Sequence, residues 1–184
     1  MGVTAAALTG DRVQLRELRE SDLADLVTWW QDPDQMVNQT SGPYHPGMAA
    51  PIAELFRTRS SNDGTDAGLV IETRADGAVA GHTALFGATA HNRTATFAIM
   101  IGPPHQNRGL GTEAARLMLR FGFDELGLHR IQLSVNGFNE RGIATYRKVG
   151  FVEEGRSREA IFRAGTWHDE IHMGILAREW HAAR

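Results

Sequence analysis

Two short stretches of this chain combine residue types and spacings that do chemistry. The first is Gln106-Asn107-Arg108-Gly109-Leu110-Gly111-Thr112, set between an apolar run at residues 97–102 and a helix-patterned segment from Thr112 to about Leu126. A glycine-bearing turn that leaves a strand and opens a helix exposes unpaired N–H groups at the positive end of the helix dipole. Such a turn accepts an anion, most often a phosphate. Gly109 and Gly111 let the main chain approach that ligand with no Cβ in the way. The second stretch, Asn139 to Phe151, reads as a short helix with Asn139 as N-cap and Gly150 as the stop beyond its end.

What the loop lacks narrows the ligand. No Gly-Lys-Ser/Thr ending is present, which excludes the nucleoside-triphosphate loop. A dinucleotide fingerprint needs three spaced glycines early in a βαβ unit, and Gly109 and Gly111 supply two in mid-chain. An ordinary tight connection is the plain alternative.

The order Gln-x-x-Gly-x-Gly between a strand and a long helix resembles the coenzyme A pyrophosphate loop of the GNAT superfamily of N-acetyltransferases. Asn139, Tyr146 seven residues on, and then Lys148-x-Gly150-Phe151 resemble the second signature of that superfamily. Gly142 stands where alanine is common, which weakens the helix slightly and removes no chemistry. The two motifs occur in the family's order, and the resemblance covers about residues 13–180.

The elements that must position these residues read as one α/β (α+β) unit without linker or repeat. Residues 12–18 alternate as a strand, and Ser21-Asp22 offers the N-cap of a helix that Asp32-Pro33 ends. Residues 34–47 hold Gly42, Pro43, Pro46 and Gly47 without periodicity and are expected to be a long loop. A second helix is expected over residues 48–59 and another loop over 60–66. Residues 69–73 and 79–86 form a hairpin turned at Asp76-Gly77, followed by a strand at 94–102. After the two motifs, runs at 153–163 and 169–176 flank Gly165 as a closing hairpin. The resemblance implies a mixed, mostly antiparallel sheet with about four helices, whose central parallel pair, residues 94–102 and 130–136, splays apart. Residues 1–11 are expected to be a loose N-terminal segment of the single domain 1–184.

The same resemblance implies acetyl-CoA as co-substrate and no metal. It places coenzyme contacts at Ile99, Met100 and Ile101 on the splayed strand, at Gln106, Asn107, Arg108, Gly109, Leu110, Gly111 and Thr112 in the loop, and at Asn139. Asn139 is also the physical helix cap, and the two roles can coexist. Lys148 reaches a coenzyme phosphate or serves as a solvated partner of the helix dipole. Acetyl transfer needs a neutral amine, a donor for the developing oxyanion and a proton for the departing thiolate. A main-chain N–H around Met100 suits the oxyanion. Tyr146, matching the family's tyrosine, is the expected general acid, since a phenol is protonated at neutral pH. The alternative is a tyrosine that only packs beyond Ile143.

The base is unassigned. Many relatives carry a glutamate on the strand before the loop, where this chain reads Ala95-Thr96-Phe97-Ala98. His82, His105, His168, Asp169 and a water chain are the candidates. The acceptor is an amine, whether a protein N-terminus, a polyamine or another small amine. Gly165-Thr166-Trp167-His168-Asp169 and the residues after it resemble the ending of the Rim-type branch, the ribosomal-protein alanine N-acetyltransferases and their relatives. The 34–47 loop and the Gly165 hairpin are expected to wall the acceptor site; Asp22, Asp25, Asp32, Asp34 and Glu54 nearby either greet a cationic polyamine or serve as a solvated helix face and helix starts. Trp29 and Trp30 are expected to be core and loop anchors.

Composition excludes other classes. A formal charge of -3 over 184 residues offers no basic surface for nucleic acid or membrane lipid. The chain has no cysteine, hence no disulfide framework and no thiol nucleophile. Residues 1–10 lack a basic stretch followed by an apolar core, and Ala6 stands at the deciding myristoylation position. A cytoplasmic homodimer is expected. Two other classes stay open: a coenzyme A-binding regulatory module without turnover, and a scaffold that self-associates through sheet edges.

Overall fold

The structure is a computed structural model and describes residues 8–62 and 66–183. Seven strands build one sheet: β1 (Val13–Arg16), β2 (Ala67–Thr73), β3 (Val79–Thr89), β4 (Thr94–Ile101), β5 (Arg130–Asn136), β6 (Val152–Arg163) and β7 (Thr166–Leu176). Their spatial order is β1-β2-β3-β4-β5-β7-β6, and every neighbouring pair is antiparallel except β4–β5. Direct turns between consecutive strands account for the antiparallel pairs β2–β3, β3–β4 and β6–β7. Gly77 (φ 71°) turns β2 into β3, and Ala164 (φ 50°) with Gly165 (φ 79°) turns β6 into β7. Left-handed backbone at both turn residues matches the twist of the strands they join.

Six α-helices occur among the described residues: α1 (Leu23–Trp30), α2 (Pro33–Met36), α3 (Ala49–Arg59), α4 (Leu110–Arg120), α5 (Glu140–Lys148) and α6 (Ala177–Ala182). In α4, Leu110, Ala114, Leu117 and Met118 recur at helical spacing and are buried, so this stripe packs on one face of the sheet. Leu15, Ile71, Leu85, Phe97, Ile131 and Met173 supply the sheet's side of that core. The opposite face is covered by α1 and α3, where Leu26, Trp29, Ile52 and Phe56 close over Val70 and Met100. Truncating a buried leucine of the α4 stripe to alanine costs about 2–5 kcal/mol.

Four expectations about the elements change. The segment at 34–47 is not all loop: Asp32 accepts the N–H of Asp34 at 2.9 Å, and Pro33 opens α2. Proline suits a first helical turn, where no N–H is needed, so the pair that ends α1 also starts α2. Asp22 stands at the N-cap position of α1 as expected, but its side chain makes no capping hydrogen bond. It lies within a 3-10 turn (Glu20–Asp22), is 3% exposed, and pairs with Arg16. The helix after the glycine loop is α-helical only to Arg120 and ends in a π turn over Phe121–Glu125. Gly122 sits there because a Cβ would come within 2.8 Å of Ile131 and Leu85 side chains. Within the N-terminal segment expected to be loose, residues 1–7 lie outside the described residues. Residues 8–11 are tied down, with Leu15 N–H donating to the Leu8 carbonyl at 2.8 Å.

The central pair splays. β4 and β5 share register only at Thr94, Ala95 and Thr96, opposite Arg130, Ile131 and Gln132. Beyond Thr96, β4 continues with β3 to Ile101, and β5 continues with β7 to Asn136. The chain around α2 spans the resulting gap. Gln35 and Gln39 donate to the carbonyls of Ile101 (2.9 Å) and Ile99 (3.3 Å) on β4. On the other side, Asn136 of β5 donates to the carbonyls of Val37 (3.1 Å) and Thr40 (3.3 Å). Side-chain amides thus satisfy main-chain groups that a closed sheet would pair strand to strand.

Candidate active site

The glycine loop joins β4 to α4 through a short 3-10 turn (Pro103–His105). Asn107 (φ 58°) and Gly109 (φ 74°) are left-handed, and Gly109 is the N-cap residue of α4. The first N–H groups of α4 have no intrahelical acceptor. Arg12 fixes their direction from behind: Nη1 donates to the Arg108 carbonyl at 2.9 Å, Nη2 to that of Gly109 at 3.4 Å. In a trans peptide the N–H points opposite to the C=O, so the N–H groups of Gly109 and Leu110 face away from Arg12. Glu113 completes the brace, accepting from Arg12 Nε and its main-chain N–H, both at 2.8 Å. Burial raises the Glu113 pKa, but these bonds outweigh it and hold it below the ordinary carboxylate value.

Beside the loop a cleft of about 250 Å³ runs along the splayed part of β4. It brings together most of the residues singled out from sequence: Ile99, Ile101, Gln106, Asn107, Gly109, Gly111, Thr112, Asn139 and Tyr146. Asn139 caps α5, accepting the N–H of Gly142 at 2.9 Å. Four do not line this cleft. Leu110 turns into the core, Arg108 is exposed, and Lys148 is exposed at the far end of α5. Met100 lies opposite His82 on β3, and its side chain enters the core of the other sheet face. With the carbonyls of Ile99 and Ile101 turned to the gap, strand alternation directs the N–H groups of these two residues there as well. The main-chain N–H groups around Met100 that face the gap are therefore those of Ile99 and Ile101.

Tyr146 rises from α5 into the cleft, its ring edge-on to Phe97 (6.2 Å) and Phe151 (6.0 Å). Its hydroxyl makes no hydrogen bond among the described residues, and burial pushes its pKa up to about 12. The phenol therefore keeps its proton at neutral pH. Arg141, Gln35 and Gln39 also line the cleft, a role not read from sequence. Arg141 donates to Gln106 Oε1 at 2.7 Å, and Gln106 Nε2 donates to the Ile101 carbonyl at 3.0 Å. The only sequence signal for the two glutamines was their spacing of four on a segment read as loop.

A second cavity of about 500 Å³ lies under α3 on the other face of the sheet. Its floor is His82, Ala84 and Phe86 of β3 with Ala98 and Met100 of β4, and residues 39–47 form one wall. Trp30 lines it too, edge-on to Phe56 at 5.5 Å, and is more than an anchor. The two cavities adjoin: Gln39 and Ile99, themselves bonded at 3.3 Å, line both. The Gly165 hairpin contributes no lining residue; instead Arg163 holds the wall, donating to the carbonyls of Thr40 (2.9 Å) and Gly42 (2.8 Å).

Among the candidate bases only His82 lines a cavity. It is buried, bonded through Nε2 to Ser60 Oγ at 2.8 Å, and its pKa falls to about 4, through burial first and then the charge of Arg59. His105 packs edge-on to Trp29, and His168 to Phe138. Asp169 lines neither cavity. Thr96 is the last residue of β4 to pair with β5. Among the described residues, no Asp or Glu lines either cavity.

A split parallel pair with a glycine loop at its end and a tyrosine beside it is the architecture that the motifs implied. Residues 12–152 match the family described as the acetyltransferase (GNAT) domain. The chain belongs to the GNAT acetyltransferases. It is an acetyl-CoA-dependent N-acetyltransferase. Spermidine N(1)-acetyltransferase of Escherichia coli (strain K12) is 31% identical over 92% of this chain and 89% of its own. YdaF of Bacillus subtilis (strain 168), a candidate ribosomal N-acetyltransferase, is 30% identical over 72% of this chain and 70% of its own. The spermidine N-acetyltransferase of Vibrio cholerae, solved in complex with CoA and spermine, superposes with a TM-score of 0.81. It is 28% identical, over 92% of this chain and 98% of that one. No helix among the described residues is long and apolar enough to cross a membrane.

Proposed function

We propose that this acetyltransferase moves the acetyl group of acetyl-CoA directly to a primary amine through a tetrahedral intermediate, with Tyr146 as general acid. The observation that carries this reading is the shared lining of one cleft: loop, splayed strand and phenol border a single space, and a second cavity adjoins it at Gln39 and Ile99. The coenzyme's pyrophosphate sits at the N–H groups of residues 109–112. Its pantetheine arm follows Ile99 and Ile101 and reaches Asn139, which keeps its capping bond through Oδ1 and retains its amide N–H groups. The neutral amine enters from the larger cavity and attacks the thioester carbonyl. An N–H of Ile99 or Ile101 receives the developing oxyanion, an interaction worth about 3 kcal/mol in a water-excluded site. Collapse of the intermediate breaks the C–S bond, and Tyr146 gives its proton to the thiolate.

The proton lost by the amine goes to solvent, since no carboxylate lines the cavities among the described residues and His82, with a pKa of about 4, is a weak base. Protein N-termini, polyamines and other small amines are the acceptor classes, the polyamine by analogy with the relatives named above. A cytoplasmic homodimer that meets neither nucleic acid nor membrane belongs to the same proposal.

Calorimetric titration of acetyl-CoA into the wild type and into a Gly109→Glu/Gly111→Glu variant tests it. The expected result is micromolar binding by the wild type, lost in the variant. A folded wild type that binds no acetyl-CoA would overturn the proposal.

A further inference from the structure

The chemistry of the larger cavity points to its acceptor. Its walls are mostly aromatic and aliphatic, with Trp30, Tyr44, Phe56 and Phe86 contributing rings, and Gln39, Thr40 and His45 add polar groups without a fixed charge. The Tyr44 hydroxyl is already spent, donating to the Gln31 carbonyl at 2.6 Å, so the residue offers its ring. His82 is held by Ser60 and is uncharged at neutral pH. Among the described residues, one side chain with a fixed charge lines the cavity, that of Arg59 at the end of α3, with its guanidinium 3.7 Å above the Phe86 ring. Arg59 makes no ion pair among the described residues.

The acids that sequence placed near this site are committed or remote. Asp22 pairs with Arg16, Asp32 caps α2, and Glu54 pairs with Arg57. Asp25 and Asp34 are exposed and line neither cavity. A polyamine would carry its remaining ammonium groups into an apolar space facing a fixed cation, where desolvation and like-charge repulsion both oppose it. An apolar body with an anionic group meets neither penalty and supplies the partner that Arg59 lacks among the described residues.

We infer that the acceptor is an apolar or aromatic amino acid, or an amine built like one, with its side chain among the rings, its carboxylate at Arg59 and its amine directed to Ile99. A cavity of about 500 Å³ accommodates a molecule of that size. The inference rests on the acetyl-transfer proposal and deepens it by naming the substrate class.

Thiol release from acetyl-CoA by the full chain decides it, measured with phenylalanine, leucine, phenylalaninamide and spermidine, beside acetyl-CoA binding by calorimetry. The expected kcat/KM for phenylalanine exceeds that for phenylalaninamide and spermidine by about tenfold or more. This preference should hold although the amide's more acidic ammonium favours it chemically. Arg59→Met should bring acid and amide to within about twofold of each other. Equal rates for acid and amide in the wild type, or a preference for spermidine, would overturn the inference. So would bound acetyl-CoA with no release on either amino acid. Failure to bind acetyl-CoA at all would instead overturn the acetyl-transfer proposal. The wild-type comparison decides the matter even if the variant does not fold.

Discussion

The guanidinium of Arg12 donates to the carbonyl of Arg108 at 2.9 Å across 96 residues of chain. A residue just before the first strand thereby sets the orientation of the glycine loop. Half of the Arg12 side chain is in water, so its pairing with Glu113 adds little to stability, about 0–1 kcal/mol. Its effect should appear in binding, because a loop held with its N–H groups forward loses less entropy when an anion arrives. Arg12→Ala is expected to weaken acetyl-CoA binding about tenfold, equal to about 1.4 kcal/mol, with little change in Tm. Calorimetry and a thermal melt on the same sample check this, and an unchanged Kd would refute it.

Tyr146 should separate turnover from affinity. Its ring is fixed between Phe97 and Phe151, and phenylalanine preserves those contacts. Tyr146→Phe is expected to lower kcat by about a hundredfold, the usual scale for losing a general acid, and to leave acetyl-CoA affinity within about twofold. The pH profile gives an independent check. Because burial pushes the Tyr146 pKa up to about 12, the required proton is in place until well above the ordinary phenol value. No descending limb in kcat should arise from this group below about pH 10. An unchanged kcat in the variant would remove Tyr146 from the mechanism.

The features legible in the sequence were those encoded by neighbouring residues. The turn at Gly77, the Asn139 cap and the glycine loop each need a few adjacent residues with particular backbone or hydrogen-bonding properties, and each sits where expected. The splayed pair was read through family resemblance; nothing in the alternation of β4 distinguishes Thr96, which pairs with β5, from Ala98, which does not. Helix α2 was missed because proline both stops a helix and opens one, and four residues are too few to show a period. Gln35 and Gln39 were lost with it. The larger cavity was the least legible part, since its lining comes from α1, α2, α3, β3, β4 and the loop after α2. Sequence proximity brought acids near that loop, but folding spent Asp22 on Arg16 and Asp32 on a helix cap.

The Arg16–Asp22 pair makes stability depend on acid. Arg16 meets Asp22 through Nη1 at 2.7 Å and Nη2 at 3.0 Å and also contacts Glu72, with both members of the pair almost wholly buried. Burial raises the pKa of Asp22, yet the Arg16 bonds and the N–H of Arg19 outweigh it, so the folded value lies below the ordinary one. A depressed carboxylate pKa stabilises the fold above the unfolded value of about 3.9, and that share is lost as pH falls through the folded value. Asp22→Asn is expected to cost about 2–3 kcal/mol at neutral pH, less than a fully broken buried pair because Glu72 still faces Arg16. Its Tm should also fall less than that of the wild type between about pH 5 and pH 3. Parallel melting curves across that range in both proteins would refute the assignment.

Arg163 lets the proposed acceptor wall be tested apart from the cleft beside the glycine loop. Its Nη2 donates to the carbonyls of Thr40 and Gly42, while Asn136 of β5 donates to those of Val37 and Thr40. Both side chains thus hold the segment after α2 against the sheet, and neither lines the coenzyme cleft. Arg163→Ala releases two charge-assisted bonds on the side of the larger cavity, leaving the Gly42 carbonyl to water and the Thr40 carbonyl to Asn136 alone. Charged hydrogen bonds of this kind contribute about 1.5–3 kcal/mol each when buried, but a loop that reorders with water recovers much of that. The expected outcome is a rise of about fivefold to twentyfold in KM for the amine, with acetyl-CoA Kd unchanged and kcat within about threefold. Steady-state kinetics at saturating acetyl-CoA, with calorimetry for the coenzyme, separate these quantities. A rise in the acetyl-CoA Kd with the amine KM unmoved would show that the loop serves the coenzyme cleft and not the acceptor cavity.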